Sequence, residues 1–121
     1  MDTSGPRAAE ILKEHGFKIV EELLLPDEEA QIKKHLIRLS DSRQVDLIIT
    51  TGGTGLSPRD RTPEATLAVA DRNVPGISEA IRAGSMTITK RAMLSRGVSV
   101  IRKKTLIINL PGSKKAVEES L

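Results

Sequence analysis

One segment constrains this chain more than any other: the run Val45-Asp-Leu-Ile-Ile-Thr-Thr51 followed at once by Gly52-Gly-Thr-Gly55. A continuous apolar run of this length, ended by glycines, reads as a strand buried on both faces of a parallel sheet. Parallel strands need crossover connections, and the rest of the chain supplies them. Ala8, Ile11, Leu12 and His15 recur at helical spacing after Ser4-Gly5-Pro6, and Gly16 ends that helix. Residues 17–25 (FKIVEELLL) read as a strand broken by Pro26-Asp27. Asp27 then caps a helix over roughly 28–40, with Ile32, Leu36 and Leu39 on one face.

Thr62-Pro63-Glu64 opens another helix, running to about Arg72. Pro75-Gly76 separates it from a helix at about 77–84, and a short helix follows at roughly 89–95. Val98 to Ile101 and Thr105 to Leu110 are strand-like, and Pro111-Gly112 turns into a final helix. The order predicts an α/β domain with a largely parallel sheet, and 121 residues suffice for one domain.

Composition narrows the chemistry. There is no Cys, which removes disulfides, thiolate nucleophiles and cysteine-bound metals. His15 and His35 lie too far apart for metal-ligand spacing. No apolar run approaches the roughly 20 residues that cross a bilayer, and no apolar stretch follows a basic start. A cytoplasmic protein without a membrane partner is the expectation. Residues 76–115 hold 9 Lys/Arg against one acid, Glu79, which points to an anionic partner. Phe17 is the only aromatic residue, so base-stacking platforms are missing and phosphate recognition is favoured over nucleic acid.

Open α/β sheets bind ligands outside the carboxyl ends of their strands. Three loops fall at such ends: Pro26-Asp27, Gly52 to Asp60, and Asn109 to Ser113. They are expected to converge. The glycines at 52, 53 and 55 let backbone N–H groups approach phosphate oxygens, although no Walker A lysine follows and the spacing is not the dinucleotide fingerprint. Asp60 and Asp27 are each either a simple cap or a carboxylate for a divalent cation bound with phosphates. Ser95-Arg96 reads as an anion-binding pair; Ser95 has no nearby His to activate it.

TTGGTG at 50–55, SPRDRTPEAT at 57–66, MLSR at 93–96 and TLIINLPGS at 105–113 together resemble the molybdopterin adenylyltransferases, which include bacterial molybdenum-cofactor proteins and the G domain of gephyrin. DTSGP at 2–6 and LPDE at 25–28 also match. The resemblance covers nearly the whole chain. It implies a three-layer α/β sandwich and transfer of AMP from Mg-ATP to the phosphate of molybdopterin, releasing pyrophosphate. It implies Asp27 and Asp60 as catalytic carboxylates holding Mg²⁺. For substrate binding it implies Gly52, Gly53, Thr54, Gly55, Ser57, Arg59, Thr62, Ser95, Arg96, Asn109, Pro111, Gly112 and Ser113.

By the same resemblance the protein is a homotrimer that works with a molybdenum-insertion protein. Family members usually begin with a strand before the DTSGP segment and continue through a full terminal helix, so this chain is expected to lack both. That leaves a non-catalytic molybdopterin-binding or scaffold paralogue as the alternative function.

Overall fold

The computed structural model describes residues 4–25, 28–86 and 94–110. Helix α1 covers Ser4–Glu14, α2 covers Glu29–Ile37, and a π-helical turn, Arg38–Ser42, continues it. Strand β1 is Leu47–Thr51, α3 is Thr62–Val69, β2 is Arg72–Asn73 and α4 is Pro75–Met86. Strands β3, Ser99–Arg102, and β4, Thr105–Leu110, complete the described elements. No helix among the described residues is long and apolar enough to cross a membrane.

The sheet order is β1-β4-β3-β2. β1 and β4 run parallel, with Leu47 opposite Leu106 and Thr51 opposite Leu110. β3 pairs antiparallel with β4 through a tight hairpin, and the short β2 pairs antiparallel with β3. Alternation along the strands sorts side chains into two cores. Ile48, Val100 and Ile107 pack with Leu36 of α2 and Val69 of α3. Ile49, Ile108 and Leu110 pack on the opposite face with Ala8 of α1 and Ile81 of α4. The result is the expected sandwich: helices α1 and α4, a sheet, and helices α2 and α3.

Several boundaries differ from the sequence reading. Residues 17–25 form no strand. Among the described residues no strand edge pairs with them. They are held instead by side chains, with Arg38 forking onto Glu21 and Arg43 Nη2 donating to the Val20 carbonyl at 3.0 Å. Phe17 lines an apolar hollow of about 200 Å³ with Ile11, Leu12, His15, Leu47, Ile49 and Ile108. The cap residue of α2 is Glu28; Asp27 lies outside the described residues. β1 starts at Leu47 rather than Val45. Among the described strands it sits at a sheet edge, with Ile48 buried against α2 and α3 and Ile49 half-buried on the α1 side, so helices lie on both of its faces. Apolar runs do not by themselves tell an edge strand from a central one.

α3 ends at Val69 because the chain then turns to join the sheet. Asp71 N–H donates to the Ile101 carbonyl at 2.9 Å, and Val74 N–H donates to the Ser99 carbonyl at 2.8 Å. Pro75-Gly76 lies inside the first turn of α4 rather than before it. Proline's fixed φ suits that position, and the Ser99 hydroxyl accepts the Ser78 N–H at 3.1 Å. Of the helix expected at 89–95, only Leu94 and Ser95 are described, and the helix expected after Pro111 lies outside the described residues.

The far end of the sheet is fastened by charge. Arg102 forks onto Asp41, with Nε to Oδ1 at 3.0 Å and Nη2 to Oδ2 at 2.8 Å. This leaves the opposite end, where β1 and β4 both terminate, to the loops. Ile107 is fully buried between the parallel and antiparallel halves of the sheet. Ile107→Ala is expected to lower unfolding free energy by about 2–5 kcal/mol in denaturant titration. An unchanged midpoint would show that the core does not centre on β4.

Candidate functional site

The carboxyl ends of β1 and β4 are level, and Gly52 N–H closes the pair by donating to the Leu110 carbonyl at 3.0 Å. From there the chain crosses to α3 through residues 52–61. Gly52 and Gly53 both have positive φ, 89° and 70°. At Gly53 a Cβ would lie 2.2 Å from the Thr62 hydroxyl, so both conformation and space require glycine. At Gly55 a Cβ would lie 2.8 Å from Asp60 Oδ2. Asp60 folds back within the loop: its Oδ2 accepts the Ser57 N–H at 3.0 Å, while its own N–H donates to the Ser57 carbonyl at 2.9 Å.

The loop's carbonyls are drawn towards protein donors. Gly53 C=O accepts Thr62 N–H at 3.2 Å, Thr54 C=O accepts Arg96 N–H at 2.8 Å, and Gly55 C=O accepts Arg96 Nε at 2.8 Å. In a planar trans peptide the next N–H points opposite to the carbonyl. The N–H groups of Thr54, Gly55 and Leu56 are therefore turned away from those donors. None of them has an acceptor among the described residues. Successive backbone amides left without a protein acceptor are the kind of group that can meet an anionic oxygen.

Arg96 carries most of the loop's ties. Besides Gly55, its guanidinium donates to the Asp60 carbonyl and to Glu64 Oε2 in the first turn of α3. Hydrogen bonding and charge from Arg96 hold the Glu64 carboxyl below the usual glutamate range. The hydroxyl of Ser95, half-buried, accepts Gly97 N–H at 3.3 Å and lies 3.5 Å from the Thr54 hydroxyl. Asn109, 2% exposed, joins the layers beneath. Its amide donates to Thr50 Oγ1 at 2.9 Å and to Thr66 Oγ1 at 3.1 Å, and its Oδ1 accepts Val98 N–H at 3.1 Å.

A family model described as a probable molybdopterin binding domain matches residues 1–121. The chain belongs to this molybdopterin-binding domain family. It is 51% identical over 102 residues to a molybdopterin adenylyltransferase of Escherichia coli K12, covering 84% of this chain and 52% of that protein. The chain thus spans about half the length of that curated relative. A Helicobacter pylori molybdopterin adenylyltransferase (strain 26695) is 43% identical over 122 residues, covering 99% of this chain and 69% of its own length. Among solved structures, a molybdopterin biosynthesis enzyme from Thermus thermophilus superposes with a TM-score of 0.93 at 49% identity. The match covers all of this chain and 76% of that one.

In this molybdopterin-binding domain, the residues singled out from sequence divide into three groups. Gly52, Gly53, Thr54, Gly55, Ser57, Asp60, Thr62, Ser95, Arg96 and Asn109 meet at one end of the sheet. Arg59 lies in the same loop, exposed, with its N–H on the Ser57 hydroxyl at 3.3 Å. Asp27, Pro111, Gly112 and Ser113 lie outside the described residues. Within the first group Thr54, Thr62 and Asn109 are buried. The Asn109 amide and the Thr62 N–H are committed to protein acceptors, so both brace the loop. Glu64, Thr50 and Thr66 are partners that the sequence reading did not single out as site residues. The acid in TPEAT read as a helix-start signal, and nothing local pairs it with an arginine 32 residues away.

No cluster of three or more metal-ligating side chains occurs among the described residues. Asp60 offers a carboxylate there with one oxygen tied to Ser57 N–H, and the Glu64 carboxylate nearby is engaged by Arg96. That suits a cation completed by phosphate oxygens, since Mg²⁺ commonly takes one or two protein carboxylates.

The lowered Glu64 carboxyl links this site to pH. Its stabilising contribution is complete above the ordinary glutamate value of 4.5 and is lost as pH falls through its lower folded value. Asp41, lowered by Arg102, behaves alike at the other end of the sheet. Thermal stability should therefore fall below pH 4.5, and Glu64→Gln should flatten part of that slope. An identical slope in the variant would show that the Arg96–Glu64 contact contributes nothing to stability.

Proposed function

We propose that this chain carries out molybdopterin adenylylation, transferring AMP from Mg-ATP to molybdopterin. The observation that supports this most is the amide face of Thr54, Gly55 and Leu56, set beside Asp60 at the carboxyl end of the parallel strands. Two relatives named molybdopterin adenylyltransferase, matched over most of this chain, favour the same reaction.

An oxygen of the molybdopterin phosphate attacks the α-phosphorus of ATP. The bond from that phosphorus to the bridging oxygen breaks, and pyrophosphate leaves with the electron pair. Such transfers depend on positioning and on neutralising charge rather than on a covalent nucleophile. The amides of Thr54, Gly55 and Leu56 receive phosphate oxygens. Asp60 would hold Mg²⁺, with Asp27 proposed as its second carboxylate, and the bound cation would offset the charge of the phosphates. Ser57, Arg59 and Ser95 line the approach, and Pro111, Gly112 and Ser113 are proposed as further substrate contacts on the strength of the family motif. A homotrimer in the cytoplasm, handing its product to a molybdenum-insertion protein, completes the reading.

Asp60→Asn tests the carboxylate. The amide oxygen can still accept the Ser57 N–H, so the loop should keep its shape. Pterin-dependent pyrophosphate release should nevertheless fall by about a hundredfold or more, the scale of losing charge stabilisation in the transition state. Release at the parent rate would exclude the metal role. Pterin binding without release by the parent chain would favour the non-catalytic alternative, a molybdopterin-binding or scaffold paralogue.

A further inference from the structure

Arg96 reads from sequence as half of an anion-binding pair, yet its guanidinium is already engaged by the protein. Nε donates to Gly55 C=O, Nη2 to Asp60 C=O, and Nη1 to Glu64. These three acceptors lie on both limbs of the 52–61 loop and on the helix that follows it. Each nitrogen has a separate acceptor, and no acceptor is a ligand.

We propose that Arg96 is a positioning residue: a clamp that turns the Gly-rich loop into an anion receptor without touching the anion itself. The inference rests on the adenylylation reading for its role in turnover, but its structural content stands apart from it. By drawing the Gly55 carbonyl inward, the guanidinium turns the Leu56 N–H to the other side of the chain. By holding the Asp60 carbonyl, it fixes the backbone from which the carboxylate projects. Glu64 keeps the guanidinium oriented and neutralises it, so the loop gains shape without gaining net charge. The Arg96 backbone N–H holds Thr54 C=O independently of the side chain. Loss of the side chain should therefore loosen residues 55–60 and spare residues 52–54.

A clamp and a phosphate ligand respond differently to three variants. Lysine is a serviceable phosphate contact, but its single nitrogen cannot replace a planar fork reaching three acceptors. Arg96→Lys and Arg96→Ala should both speed amide exchange over 55–60 while β4 stays protected. Both should lower kcat by about ten- to a hundredfold, the scale of displaced catalytic groups, with a smaller change in KM for ATP. Glu64→Gln should move exchange and kcat the same way, more weakly. Guanidinium ion added at millimolar concentration should restore turnover to Arg96→Ala.

Two results would overturn the clamp. One is parent-like exchange over 55–60 in Arg96→Ala and Arg96→Lys. The other is a pure KM effect in Arg96→Ala, together with tighter ATP binding in Glu64→Gln, as expected of an arginine freed to meet phosphate. If Arg96→Ala does not fold, Glu64→Gln and Arg96→Lys carry the same comparison. Absence of pyrophosphate release from the parent chain would count against adenylylation alone; exchange over 55–60 needs no substrate and still decides the clamp.

Discussion

The parallel pairing of Leu47–Thr51 with Thr105–Leu110 is the contact on which the rest depends. Because Thr51 lies opposite Leu110, two chain segments leave the sheet at the same level and on the same side. Shifting the register by one residue would send Ile48 and Ile107 to the wrong layer and separate Thr50 from Asn109. The buried Asn109 amide, bonded to Thr50 and Thr66, records the correct register in hydrogen bonds that few alternatives could satisfy. The loop at 52–61 is therefore mounted on a fixed base, where small errors in backbone direction would matter to phosphate recognition.

Above that base the polar groups are arranged for backbone recognition. Carbonyls of Gly53, Thr54 and Gly55 face protein donors, and the amides that follow them do not. Glycine is needed at 53 by its positive φ and by the closeness of Thr62. Charged side chains near the loop act largely on one another, as in the Arg96–Glu64 and Arg61–Glu29 pairs. On the proposed reading the anion is met by backbone amides and Asp60 serves the cation, with no cluster of bare cations required.

Much of this was legible in sequence because it is local. Thr62-Pro63-Glu64 announces a helix start, TLIINL a strand, and consecutive glycines a loop that needs unusual φ values. What escaped is non-local. FKIVEELLL has the composition of a strand, but a strand exists only when another edge pairs with it, and here none does among the described residues. The end of α3 is set by β2 joining β3, a pairing across about 30 residues. Arg96 was visible as an arginine beside a serine, while its acceptors, 32 to 41 residues distant, were not. The Gly52 loop starts level with Leu110 at the end of β4, while the Asp27 loop and residues 111–113, also expected to converge there, lie outside the described residues.

The central claim is that the amides after Gly53 are the receptor for phosphate. Backbone amide NMR during a titration with Mg-ATP tests it most directly. The account predicts that Thr54, Gly55 and Leu56 N–H resonances move downfield and gain protection from exchange. The β3–β4 hairpin, at the other end of the sheet, should stay unchanged. Saturation with Mg-ATP while those three amides keep their positions, or shifts centred on the hairpin, would contradict it.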